Sequence, residues 1–298
     1  MSASRVACSI AWRARLLGPV LLAGIMPIRA EAQEILGARG VGLAEAQRAL
    51  ANGNDTLYVN PGGMSLSSVY SLEANYLDDL GGGDRRVNAS ILDSQAGEVS
   101  GGVAYTYAAR NKLPLEKSWV AHRVDAGLGF RVTETAALGA VLRYVTLSAK
   151  TGEADDEAGS YDALTADFGA QYRHENGFAI GAAVANVFNH DAPRLPLSWG
   201  AGIGYDDSTF SIEADVRHDV RAKSFRVSAG GGAVLGESFL LRGGGGFETS
   251  TKVVDLSVGF GYGTKDAGLE VGYGQRVSGE DPTKPERTLA IGLRLYFF

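Results

Sequence analysis

The sequence predicts an all-β protein: a transmembrane antiparallel β-barrel of about 14 strands with an N-terminal hatch segment in its lumen. Three observations carry that expectation. An export signal opens the chain, apolar and polar residues alternate with a period of two over most of the remaining chain, and lysine and proline keep out of the alternating stretches.

The first element is residues 1–32. Arg5, Arg13 and Arg15 precede the apolar run "LLGPVLLAGIMPI", and Ala30-Glu31-Ala32 supplies an A-x-A cleavage site. That is the pattern of a cleaved secretory signal peptide, too short and wrongly flanked for a membrane span. The mature chain is expected to begin at Gln33. The only cysteine, Cys8, leaves with the signal, which excludes disulfides, cysteine metal sites and a cysteine nucleophile. "LAGI" at 22–25 has Ile where a lipobox needs Cys, so no lipid anchor is expected. With 28 basic and 34 acidic residues and no basic run, the chain offers nothing to nucleic acid.

The second element is residues 33–67. In "ILGARGVGLAEAQRALANGNDTLYVNPGGM" the glycines Gly37, Gly40 and Gly42 precede a helical-looking run with Leu43 and Leu50 on one face. The Gly-x-x-Gly-x-Gly order and the missing preceding strand exclude a dinucleotide cradle. A stretch too short for a domain but rich in Gly and Leu is suited to plug a lumen, where glycine permits close backbone approach. Asp55 lies between that run and Asn60-Pro61-Gly62-Gly63, a turn signature leading into the first strand.

The third element, residues 68–298, is the barrel. In "RTLAIGLRLYFF" Leu289, Ile291, Leu293, Leu295 and Phe297 share one face, and Phe210, Ile212, Ala214 and Val216 repeat the rhythm. The same alternation predicts strands at 69–79, 84–94, 98–109, 117–131, 135–149, 161–173 and 177–188. It continues at 196–206, 209–219, 224–234, 237–248, 252–264, 266–276 and 287–298. Each is close to the length that crosses a bilayer at a tilt. Connections alternate between long, such as "SAKTGEADDEAGS", and tight, such as "RHENG" and "DDST". Outer-membrane barrels place the tight turns in the periplasm.

Every lysine from Lys112 to Lys284 falls in or at the edge of a predicted connection. A soluble sandwich would scatter lysines over its wet faces, whereas on a lipid face each costs about 2–4 kcal/mol at the midplane. Prolines 61, 114, 193, 196, 282 and 285 also avoid strand cores, where proline removes a ladder bond.

The opposite strand faces then line the lumen. They carry Glu73, Asp125, Asp167, Glu213, Asp215, Asp255 and Glu270, balanced by Arg123, Arg143, Arg217, Arg226, Arg242 and Arg294. Near-neutrality favours an ionic network that stiffens the wall over a charge-selective pore. Glycines crowd these faces and leave room inside. The large apolar residues among them are few: Val141, Val145 and Leu240.

The stretch "GARGVGLAEAQRALANGNDTLYVNPGGM" resembles the N-terminal hatch of the FadL-type outer-membrane transport proteins and of their PorV/PorQ-like branch. "IGAAVANVFN" at 180–189 and "LPLSWGAGIGYD" at 195–206 are similar to strands of that branch. The resemblance implies a fourteen-stranded, hatch-containing barrel that passes hydrophobic, fatty-acid-like compounds. A non-transporting binding or shuttle factor for a secretion system is what the branch implies instead. Gly37, Gly40, Gly42, Asp55, Asn60, Pro61 and Gly62 are the hatch and gating candidates.

No enzyme, cofactor or metal is expected. His218 beside Asp219 lacks a triad, His122 faces lipid, and the acidic loop Glu153, Asp155, Asp156, Glu157 lacks calcium-loop spacing. The expected partners are outer-membrane lipid and lipopolysaccharide, and the barrel assembly machinery through the strand ending in Phe298. A small hydrophobic ligand or a secretion-system component completes the set.

Overall fold

The computed structural model describes residues 37–80, 83–95, 97–110, 118–150, 160–188, 195–207, 209–279 and 286–297. The signal peptide, Gln33, the acidic loop from Glu153 to Glu157, His190 and Phe298 lie outside these residues.

Fourteen strands alternate in sequence with short turns and longer connections. They are β1 (Tyr70–Asp79), β2 (Asp84–Asp93), β3 (Val99–Arg110), β4 (Ser118–Arg131), β5 (Ala136–Lys150), β6 (Tyr161–Arg173) and β7 (Phe178–Ala185). Then come β8 (Ser198–Asp206), β9 (Phe210–Asp219), β10 (Ser224–Leu235), β11 (Phe239–Glu248), β12 (Val254–Gly263), β13 (Ala267–Ser278) and β14 (Arg287–Phe297). Each pairs antiparallel with its chain neighbours, and β1 closes on β14 with Tyr70 opposite Phe297 and Asp79 opposite Thr288. Closure gives every strand two neighbours, as a wall set in hydrocarbon needs.

The faces are inverted relative to a water-soluble protein. On β4, Leu128 is 66% exposed while Asp125 is fully buried inside, and on β12 the outward Val258 is 59% exposed. Apolar out and charged in is the arrangement of a wall set in lipid.

The strand cut shortest against its expected range is β7. β7 stops at Ala185, not 188. Asn186 takes a left-handed φ of 61°; its N–H donates to Asp167 Oδ1 at 2.8 Å and its side chain to the Pro196 carbonyl at 3.1 Å. Those bonds turn the chain out of the ladder.

Residues 37–65 are almost wholly buried against the inward faces of the barrel. They form a short helix α1 (Ala38–Gly42) and two 3-10 turns, Gly53–Leu57 and Pro61–Gly63. Leu57, Tyr58, Val59 and Met64 pack against Leu92, Ala104 and Val141 of the wall. The helix is not in the run that reads as helical. It occupies the glycines, and Ala44 and Glu45 break it with φ of 52° and 74°. Beyond them the backbone is bonded to side chains of the wall.

Lumen glycines give this segment its room. A Cβ on Gly244 would stand 2.5 Å from the carbonyl carbon of Leu43, and one on Gly42 would stand 3.0 Å from Gly259 Cα. The space the glycines leave is occupied by backbone.

Candidate functional site

The site is the seam between this inner segment and the wall. Glu213 and Asp215 are two apart on β9, so both carboxylates point inward. Asp215 Oδ2 accepts the backbone N–H groups of Gln47 and Arg48, each at 3.0 Å, and Arg48 Nη1 at 3.2 Å. Glu213 Oε1 accepts the N–H groups of Ala49 and of Leu50. Two carboxylates thus satisfy four successive amides that a helix would have turned to its own carbonyls. Charge-assisted bonds of this kind are about twice as strong as neutral ones, which explains why helix propensity loses here.

The carbonyls of the same stretch are held from elsewhere. Asn60 Nδ2 donates to the Arg48 carbonyl at 2.8 Å and Gln171 Nε2 to that of Ala49 at 2.7 Å. Ser257 on β12 donates to the Gly42 carbonyl at 3.1 Å. Asn60 also accepts the Gly62 N–H at 3.0 Å, which closes the turn begun by Pro61. Gly62 presses so closely on β6 that a Cβ there would stand 2.6 Å from the Ala170 backbone.

The remaining lumen charges pair. Asp125 bridges Arg123 at 2.7 Å and Arg143 at 2.8 Å, and Arg143 reaches Asp167 and the Asn186 side chain. Glu45 of the inner segment sits between Arg217 and Arg226, 3.2 Å from each, and Arg226 continues to Asp255 at 2.7 Å. Arg242 pairs with Glu270 at 2.9 Å, and Arg294 with Glu73. Asp55 is buried beside this last pair, 3.5 Å from Arg294.

Of the charges named from the alternation, Glu73, Asp125, Asp167, Glu213, Asp215, Arg123, Arg143 and Arg226 are buried, and Arg217, Arg242, Asp255, Glu270 and Arg294 are half-buried. The network does more than stiffen the wall, because Glu213, Asp215, Arg217 and Arg226 hold the inner segment itself. Gly37 and Gly42 pack against wall or buried side-chain atoms, whereas Gly40 faces only the flexible end of Gln47. Sequence reading missed Glu45, Arg48, Gln171 and Asn186. Gln171 was visible as a polar residue at an inward position; the other three carry no pattern. Tyr58, also missed, donates to Asn88 Oδ1 at 2.9 Å, and burial pushes its phenol above the ordinary range.

His122 and His218 lie outside this seam. His122 accepts from or donates to the Tyr105 hydroxyl at 2.7 Å on the outer face, and His218 packs 4.4 Å from the Phe225 ring.

Among the described residues β6 pairs with β7 from Phe168 to Arg173, and beyond Ala185 the ladder gives way to single bonds. Residues 186–188 stand in for it, with Val187 N–H on the Ala166 carbonyl at 3.0 Å. Just inside, Val145, Ala163 and Leu195 form an apolar cluster with Tyr161 packed on it. Leu195 and Tyr161 add apolar surface that the sequence count of lumen faces omitted.

Fold and seam together define a closed fourteen-stranded barrel whose N-terminal segment packs against its inward faces. Three solved structures share the barrel fold. The monoaromatic hydrocarbon channel CymD matches with a TM-score of 0.66 at 13% identity, over 88% of this chain and 97% of that one. The Pseudomonas putida toluene transporter TodX matches at 0.65 and 10%, over 90% and 98%. A Pseudomonas aeruginosa FadL homologue matches at 0.65 and 9%, over 88% and 98%. No family model and no curated protein sequence matches the chain.

Proposed function

We propose that this protein is an outer-membrane channel for small hydrophobic compounds, exported through its cleaved signal and set with the tight turns in the periplasm. Compounds of the fatty-acid or monoaromatic kind enter from the long-connection side and leave through the wall beside β6. The observation that carries this reading is the apolar cluster of Val145, Ala163 and Leu195 just inside the place where the described β6–β7 ladder ends. The fold shared with channels described as hydrocarbon or toluene transporters supports it. A lumen occupied by residues 37–65 favours an exit through the wall over one along the barrel axis.

The test exploits the absence of cysteine after Cys8. Ala166→Cys with Val187→Cys staples β6 to the residue that replaces its neighbour. Uptake of labelled toluene and of a labelled fatty acid is measured in cells before and after reduction. Uptake should fall when the staple forms and recover on reduction; uptake indifferent to the staple would rule out this exit. A filled lumen also suits a PorV-like binding factor for secreted proteins. Absence of uptake in every strain, with loss of a surface protein on deletion of the gene, would favour that reading.

A further inference from the structure

The outer wall carries a polar row that neither the seam nor the proposed route uses. Tyr107 of β3 stands opposite His122 of β4, His122 opposite Thr146 of β5, and Thr146 opposite Asp162 of β6. Neighbouring strands are about 4.8 Å apart, so the row runs for about 15 Å. Its side chains point away from the lumen, because the residues beside them in sequence, Thr106, Arg123, Val145 and Ala163, are the buried ones. Tyr107, His122 and Asp162 are exposed and Thr146 is half-buried.

His122 is fixed in place. Its Nδ1 bonds the Tyr105 hydroxyl at 2.7 Å, and its ring lies 6.1 Å from that of Tyr105 and 5.6 Å, edge-on, from that of Tyr107. Nε2 is the ring's other bonding atom. Further from the long connections, the next outward residues are Tyr105, Val124, Tyr144 and Leu164, opposite one another in turn and all exposed. Tyrosine is at home where a bilayer meets water. Histidine and aspartate on a lipid-facing wall are costly unless a polar group lies against them.

Charge narrows what that group is. Arg123 and Arg143 of the same strands turn inward to Asp125 and Asp167, and the outward Arg85 of β2 pairs with Asp78 at 3.3 Å. Among the described side chains the row therefore offers a phosphate no cation and sets Asp162 against it, a like-charge conflict. An uncharged, hydroxyl-rich group fits. Asp162 accepts from hydroxyls, His122 Nε2 and Thr146 exchange bonds with them, and a tyrosine face takes the C–H side of a sugar ring.

We infer that the row from Tyr107 to Asp162 binds the sugar headgroup of a glycolipid in the leaflet on the long-connection side. Its acyl chains run down the wall over Tyr105, Val124, Tyr144 and Leu164, which a free sugar would leave uncovered. Which leaflet this is rests on the orientation proposed above; the binding itself does not.

The experiment is native mass spectrometry of the intact detergent-solubilised protein. Three lipids with the same dioleoyl tails are offered at equal concentration: a diglucosyl glycerolipid, phosphatidylglycerol and diacylglycerol. The glucosyl lipid is expected to remain bound at higher occupancy than either of the others. His122→Phe, which keeps an aromatic ring on the lipid face, and Asp162→Ala should each lower that occupancy by about fivefold, the loss that one net hydrogen bond implies. Val258→Ala on β12 should leave it unchanged. Equal retention of the three lipids, stronger retention of phosphatidylglycerol, or no change in His122→Phe would overturn the site. The same spectra count chains: a dimer that His122→Phe dissociates would mean that a second copy covers the row, and would overturn the glycolipid. Should a variant fail to fold, read from its heat-modifiable mobility, the wild-type comparison of the three lipids decides alone.

Discussion

Asp215 and Arg48 make the tightest-knit contact between wall and inner segment: one carboxylate oxygen receives the Arg48 backbone N–H, its guanidinium and the Gln47 N–H. Both side chains are almost wholly buried, Arg48 at 4% and Asp215 at 2% exposure. Removing one partner of such a pair costs about 3–5 kcal/mol, because the other charge is left buried and alone. The barrel ladder does not pass through this contact. Asp215→Ala should therefore leave a heat-modifiable barrel whose inner segment is loosened. Trypsin cleavage at Arg48 in purified protein, and several-fold greater sensitivity to a polar antibiotic, are the expected readings. Unchanged trypsin resistance would show that the contact does not hold the segment.

Close backbone approach predicts an order among the inner-segment glycines. Gly42→Val meets the Gly259 backbone and Gly62→Val the Ala170 backbone, neither of which can give way, whereas Gly40→Ala meets only the end of Gln47. Antibiotic leak should rise clearly for the first two and little for the third. Equal leak for all three would mean that the approach distances do not govern seating.

Val258 and Ser257 test which face meets lipid. Arg at Val258 should hinder assembly by about 2–4 kcal/mol near the midplane, read as loss of the heat-modifiable folded band. Ser257→Ala should assemble normally and lose the hydroxyl's bonds to the Gly42 and Gly244 carbonyls. Alternation alone would allow Arg at Ser257 as a lumen position. The structure does not, because Gly42 already occupies the space in front of it.

Orientation is tested with single cysteines. Ser250 is exposed in the connection after β11 and Lys265 in the tight turn after β12, on opposite rims. An impermeant maleimide added to whole cells should label Ser250→Cys and spare Lys265→Cys. The reverse pattern would invert the barrel in the membrane.

The strands and their faces were legible because a period of two is a local property, readable from any ten residues. The end of β7 was not: "AVANVFN" continues the alternation, and only the bonds of Asn186 to Asp167 and Pro196 stop it. The seam was half legible. Glu213 and Asp215 could be assigned inward by parity, but their partners are backbone amides of Gln47 to Leu50, and backbone leaves no mark in sequence. For the same reason the Leu43–Leu50 run read as a helix; its amides are taken by carboxylates that only the closed barrel brings near.

The most direct test of the central claim, that the N-terminal segment is a plug held by wall carboxylates and not part of the wall, is deletion of residues 35–58. Asn60-Pro61-Gly62 and β1 remain, and the wall closes strand to strand without the deleted residues. Antibiotic sensitivity and uptake of a labelled fatty acid are measured in the same strains, with heat-modifiable mobility reporting the fold. The expected result is a folded, inserted barrel with greatly increased leak of polar antibiotics and reduced gated uptake. A chain that no longer folds, or a folded barrel as tight to polar solutes as the intact protein, would contradict it.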